Sequence, residues 1–171
     1  KRHGVTVACC PASNLKLASG YANVPKMLEN GINVALGTDG AASNNNLNIM
    51  QDMYLFGVVY KGYFRDPTII TPAEVLHAAT RAGALSQGRD DSGLLAVGMR
   101  ADLCVLNTDT PQFTPMTSAA CNVVYAAQGA DIRMTMVDGE VLYRDGEFKT
   151  IDIEKVKAEV QRRTDSILSR L

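Results

Sequence analysis

Two short apolar strand patterns separated by one helical pattern set the strongest limit on how this chain folds. Val5, Val7 and Cys9 alternate with Thr6, Ala8 and Cys10, and Pro11 ends the run. A helical segment over residues 24–30 stops at Gly31, and residues 32–36 read as the next strand. Strand, helix and strand within about thirty residues make a βαβ unit, whose strands lie parallel in one sheet. The residues after the first strand (10–14) therefore share a rim with those after the second (37–40). His3 precedes its strand, falls on the opposite rim and reads as a surface histidine.

The second strand leads into the stretch VALGTDGAASNNN, residues 34–46. Asp39 stands between Gly37-Thr38 and Gly40, just past a strand end, where parallel α/β folds hold functional groups rigidly while loops shape the pocket. A carboxylate there is a good oxygen ligand for a divalent metal and can take a proton from bound water. The same Asp-Gly pair is also a two-residue hairpin signal. Against a hairpin, the Ser43-Asn44-Asn45-Asn46 run opens a helical pattern rather than a returning strand.

With 171 residues and 46% hydrophobic content, the chain has enough apolar material for one domain or one and a half. A net charge of −1 gives no electrostatic case for nucleic acid or an anionic membrane. No apolar run reaches spanning length, and the first residues lack the hydrophobic region of a signal peptide. Cys9, Cys10, Cys104 and Cys121 have neither zinc-knuckle spacing nor a disulfide pattern, which points to a reducing, cytoplasmic compartment. The chain opens mid-pattern at Lys1-Arg2-His3-Gly4, as if cut from something longer.

Residues 46–61 form an amphipathic helix with Leu47, Met50, Tyr54 and Val58 on one face and Met53 and Gly57 nearly on it. Thr71-Pro72-Ala73-Glu74 is a helix start with a capping box, and one helix is expected over residues 72–87, with Val75, Ala79, Ala82 and Leu85 buried. His77 lies off that stripe and reads as structural or exposed. Near Ser92 the period changes to two. Strands follow over residues 103–106, 121–127, 132–137 and 140–143, with Asp138-Gly139 supplying the hairpin turn and Asp145-Gly146 repeating the signal. Ile153, Val156, Val160, Ile167 and Leu171 stripe a closing helix whose Lys and Arg residues face water.

These motifs resemble the amidohydrolase superfamily, in particular the branch containing methylthioadenosine/S-adenosylhomocysteine deaminases. CPASNLKLASG (10–20) resembles the loop after the seventh strand of that family's barrel, and LGTDGAASNNNLN (36–48) its eighth-strand motif. GLLAVGMRADLCVLN (93–107) and VDGEVLYRDGEF (137–148) resemble the C-terminal part of its small β-sandwich. The resemblance implies an α/β fold made of the last strand–helix units of a metal-dependent (β/α)8 (TIM) barrel over 1–92. It further implies the C-terminal strands of the sandwich over 93–149 and a terminal helix over 150–171.

It also implies that Asp39 binds a divalent metal, most often zinc, and accepts a proton from the attacking water. The metal-bound hydroxide adds to the amidine carbon of a purine ring and ammonia leaves. Ser43 would sit at the pocket mouth as a substrate contact, with helix capping the alternative reading of Ser43 and its asparagine neighbours. Relatives commonly carry histidine where this chain has Cys9, and a thiol does not hold a proton network as imidazole does. The remaining metal ligands and the catalytic glutamate belong to strands ahead of Lys1, and neither His3 nor His77 has a matching context. The expectation is thus the C-terminal portion of a nucleoside deaminase, inactive by itself, associating with itself or with the missing N-terminal part. The alternatives are a guanine deaminase or triazine chlorohydrolase on the same scaffold, and a non-catalytic module that completes another chain's barrel.

Overall fold

The computed structural model describes residues 2–170, and Lys1 and Leu171, the latter assigned above to the closing stripe, lie outside the described residues. The chain begins with strand β1 (Val7–Cys9), helices α1 (Pro11–Lys16) and α2 (Val24–Glu29), and strand β2 (Val34–Leu36). The strands pair in parallel, with Val7 opposite Val34 and Cys9 opposite Leu36. Both are shorter than the apolar patterns that announced them. Every residue of β2 is buried, as expected of a strand covered on both faces. The 10–20 segment, expected as a loop, is helical over Pro11–Lys16: Pro11 occupies the first turn, where its missing N–H costs nothing.

A short helix α3 (Ala41–Asn44) and the long α4 (Ile49–Phe64) come next. Asn48, whose side chain accepts from Met50 N, caps α4, so Leu47 lies outside the helix and is 61% exposed. The buried stripe consists of Met50, Met53, Phe56, Gly57 and Tyr60, with Asp52 among them, and Tyr54 faces outward. Met50, with Met53 and Gly57 beside it, is thus buried as expected, and the stripe is turned away from Leu47 and Tyr54 toward Phe56 and Tyr60. Gly57 lets residues 124–125 lie close: a Cβ there would stand 3.1 Å from Tyr125 Cε1 and 3.3 Å from Val124 Cγ1.

Residues 72–87 form two helices, α5 (Pro72–Ala79) and α6 (Arg81–Ser86), rather than one. The capping box at Thr71 and Glu74 is present. The break lies at Thr80, with φ −124° and ψ −88°, and Gly93 of the following segment is seated against it. Arg81 clasps that segment, donating to Asp90 O (3.0 Å) and Ser92 O (2.6 Å). Val75 and Ala82 are buried as expected, whereas Leu85 is exposed.

Strand β3 (Leu103–Leu106) precedes helix α7 (Ala119–Tyr125), which replaces the strand expected over 121–127. Ser118 caps α7 by accepting from Cys121 N, and the helix buries Val124 against α4 and α5. Packing here overrides the β-branched composition. Strands β4 (Ile132–Val137), β5 (Glu140–Arg144) and β6 (Glu147–Phe148) complete an antiparallel sheet in the order β3-β4-β5-β6. Both Asp-Gly turns adopt the positive φ angles that their strand-to-strand reversals need, at Asp138 and Gly139 and again at Asp145 and Gly146. Asp102 ties β3 to the first turn, accepting from Asp138 N (2.7 Å) and from Ser92 Oγ (2.9 Å). The final helix α8 (Ile153–Leu168) buries none of its residues, so Val156, Val160 and Ile167 of its apolar stripe stay exposed. Among the described residues, no helix is long and apolar enough to cross a membrane.

Candidate functional site at the shared strand rim

Parallel pairing delivers the ends of β1 and β2 to one rim, and there the two following segments meet. Ser13, buried in α1, donates its hydroxyl to Asp39 Oδ2 at 2.6 Å. Gly40 N donates to Asp39 Oδ1 at 2.7 Å. Each carboxylate oxygen thus has one fixed donor and keeps lone-pair capacity toward the rim. Asp39 is exposed and sits in the left-handed backbone region at φ +61°, which turns its side chain out of the strand direction. Gly37 lets the loop lie close to Cys10, whose Sγ would be 3.4 Å from a Cβ at that position.

The hydrogen bond from Ser13, followed by that from Gly40 N–H, holds the Asp39 carboxyl below the usual carboxylate range. It is therefore a fixed anion at neutral pH, available as a ligand or proton acceptor. Ser43 lies on α3 beside it, half-buried, with its carbonyl accepting from Lys16 Nζ at 2.9 Å. Lys16 also donates to Asn45 Oδ1, so α1 is tied to the far end of the same loop. Ser43 caps no helix: Gly40 is the N-cap of α3. The capping reading holds for the neighbouring asparagines instead, since Asn45 takes the left-handed C-cap position of α3 and Asn48 caps α4.

Cys9 points into the core rather than to the rim, its Sγ 3.5 Å from the Tyr60 hydroxyl. Burial pushes its thiol up, and burial followed by the Asp39 charge does the same for Cys10. Both stay protonated at neutral pH, a poor state for a metal ligand. His3 and His77 are exposed; His3 precedes β1, at the opposite end of the strand pair from Asp39, and His77 lies on α5. Among the described residues, no three His, Cys, Asp or Glu side chains come together as a metal site. Asp39 fits as one oxygen ligand of a divalent ion.

Asp52, like Ser13, escaped the sequence reading. Asp52 is 1% exposed and accepts from Ala12 N (3.0 Å) and Asn44 Nδ2 (3.2 Å). Burial raises its carboxyl above the ordinary range, and the Ala12 and Asn44 bonds oppose the rise. The signal was present: on the true apolar face of α4, Asp52 is the charged member of an i, i+4 pair with Phe56.

The profile described as "Amidohydrolase family" matches residues 1–142. A 5-methylthioadenosine/S-adenosylhomocysteine deaminase of Acetivibrio thermocellus is 45% identical over 96% of this chain and 38% of its own length. A 5'-deoxyadenosine deaminase of Methanosarcina mazei is 40% identical over 100% of this chain and 39% of its own. Among solved structures, an adenosine deaminase from Xanthomonas campestris with bound zinc superposes with a TM-score of 0.95 at 31% identity, covering 98% of this chain and 38% of that one. A zinc-complexed atrazine chlorohydrolase from Arthrobacter aurescens gives 0.85 at 28% identity, covering 93% and 36%. The chain thus spans less than two-fifths of the length of these proteins.

Proposed function

The chain belongs to the amidohydrolase family, and on that footing we propose that it is the C-terminal portion of a metal-dependent deaminase of adenine-type nucleosides. Residues 1–92 contribute the last strand–helix units of a (β/α)8 barrel, 93–149 strands of a small β-sandwich, and 150–171 the closing helix. The observation that carries the reading is the Asp39 carboxylate, held by Ser13 and Gly40 at the C-terminal rim of a parallel strand pair. A bound divalent metal, zinc in solved structures similar to this chain, supplies the Lewis acidity that makes water nucleophilic near neutral pH.

The residues present here have definite tasks in that chemistry. Asp39 offers the metal one anionic oxygen and accepts the proton that the attacking water gives up. Ser13 and Gly40 fix which way the carboxylate faces, so it needs no reorganisation as charge moves. Ser43, beside Asp39 on α3, contacts the nucleoside at the mouth of the pocket. The unpaired thiols, two of them exposed, suit a reducing cytoplasm. The chain acts joined to, or assembled with, the polypeptide segment that brings the other ligands, and by itself it binds zinc weakly and releases no ammonia.

A triazine chlorohydrolase is the second reading, favoured by the TM-score of 0.85. The higher identity to deaminases, 40–45% against 28%, weighs for the nucleoside. Substrate trials with the complete polypeptide decide the matter: ammonia from methylthioadenosine is expected, and turnover of guanine or atrazine alone would overturn the nucleoside assignment. Asp39→Asn keeps the shape but removes the anionic ligand and the proton acceptor. Zinc affinity should fall and turnover drop by at least about a hundredfold. Near-normal turnover in that variant would defeat the role given to Asp39.

A further inference from the structure

A carboxylate as deeply buried as Asp52 is costly without compensation, and none of the described ion pairs includes it. Its compensation comes from two neutral donors, and their positions are informative. Asp52 Oδ1 accepts from Ala12 N, the residue before Ser13. Cys10, the N-cap of α1, gives no side-chain bond, so Asp52 supplies from another helix the acceptor that the first turn lacks. Asp52 Oδ2 accepts from Asn44 Nδ2, and the same amide donates to Thr38 O at 2.7 Å, the residue before Asp39. The two hydrogens of one amide thus serve both bonds. From one buried anion, hydrogen bonds lead to the immediate neighbours of both members of the Ser13–Asp39 pair.

We infer that Asp52, acting through Asn44, is a positioning residue that sets the spacing of α1 and the Thr38–Asp39 turn and thereby aims the Asp39 carboxylate. The inference rests on the role proposed for Asp39. Both oxygens of Asp52 act only as acceptors, so asparagine in its place satisfies one donor and sets its own amide against the other. Asp52→Asn keeps the volume and removes a buried charge, so the fold survives while one arm of the tether opens. Asn44→Ser shortens the other arm and reads the same link from its opposite end.

The test uses the complete polypeptide, with ammonia release from methylthioadenosine, zinc affinity by chelator competition and amide hydrogen exchange of the metal-free protein. Asp52→Asn should lower kcat about ten- to hundredfold, the scale of a misplaced reacting group, and weaken zinc binding. It should speed exchange at Gly40, whose N–H bonds Asp39 Oδ1, while the amides of α5 keep their protection. In an Asp39→Asn background the same substitution should change kcat and zinc affinity by no more than about twofold, because the group being aimed is gone. A purely structural Asp52 would give equal losses in both backgrounds and unchanged relative protection at Gly40, and either result overturns the inference. If Asp39→Asn alone leaves turnover near normal, the role of Asp39 falls, and Gly40 exchange still decides whether Asp52 holds the turn.

Discussion

At Gly93 the backbone of one segment touches the backbone of another, with no side chain between them to yield. An ideal Cβ on Gly93 would stand 2.7 Å from Arg81 Cα, 3.0 Å from Arg81 N and 3.0 Å from Thr80 O. Its φ of +82° adds a conformational cost for any L-residue. Gly98 is a matched control, with φ +85° and nothing within 4 Å of its Cβ position. Gly98→Ala should therefore cost only the left-handed penalty, about 1 kcal/mol. Gly93→Ala should cost that penalty plus overpacking against rigid backbone, about 3 kcal/mol more. The chain has no tryptophan, so urea unfolding is best followed by far-UV circular dichroism. At a slope of about 2 kcal/mol per molar urea, the Gly93 variant should melt about 1.5 M earlier than the Gly98 variant. Midpoints agreeing within about 0.25 M at equal slopes would refute the claim that this contact locks the α5–α6 break.

Ser13→Ala removes the strongest influence holding the Asp39 carboxyl low, so that carboxyl should titrate at higher pH by carbon-13 NMR. Because the folded pKa lies below the unfolded one, the bond's contribution is present above the unfolded carboxylate pKa and is lost as pH falls through the folded value. Wild type and Ser13→Ala should accordingly differ in stability at neutral pH and converge in acid; a constant gap would speak against the bond. Thr71→Ala removes the capping box of α5 and should cost about 1 kcal/mol in the same urea assay, with Thr71→Ser recovering most of it.

What could be read from the sequence was what neighbouring residues decide among themselves. Thr71 and Glu74 are three residues apart, and their capping box needs nothing from elsewhere. The Asp138-Gly139 turn follows from the left-handed angles that a two-residue hairpin demands. Asp39 stood out because flanking glycines and a preceding strand mark a tight rim loop. The errors lie where distant contacts decide. The break at Thr80 depends on Gly93 pressing against it, and residues 121–127 are mostly helical because Ser118 supplies a cap and Val124 packs beside Gly57. On α4, Met50, Met53 and Gly57 were legible as apolar-face residues, but counting Leu47 as helical centred the stripe toward Tyr54 and hid Asp52 on the buried face. Ser13 was invisible as a partner of Asp39 because their meeting depends on the parallel register of β1 and β2.

The left-handed backbone of Asp39 also bears on how a protein of this kind can drift. Single-nucleotide changes to an aspartate codon reach asparagine, glycine, alanine, valine, glutamate, histidine and tyrosine. Asparagine and glycine accept that backbone readily but bring no carboxylate, while glutamate keeps the carboxylate on a longer arm that pays a conformational penalty. No residue one step away preserves both the chemistry and the turn. Replacement by asparagine or glycine, however, leaves the backbone of the turn relaxed, while glycine takes the acceptor from the buried Ser13 hydroxyl and from Gly40 N–H and asparagine sets its amide against one of them. Under the role proposed for Asp39, these two replacements remove the chemistry without straining the backbone, at the cost of hydrogen bonds local to the rim.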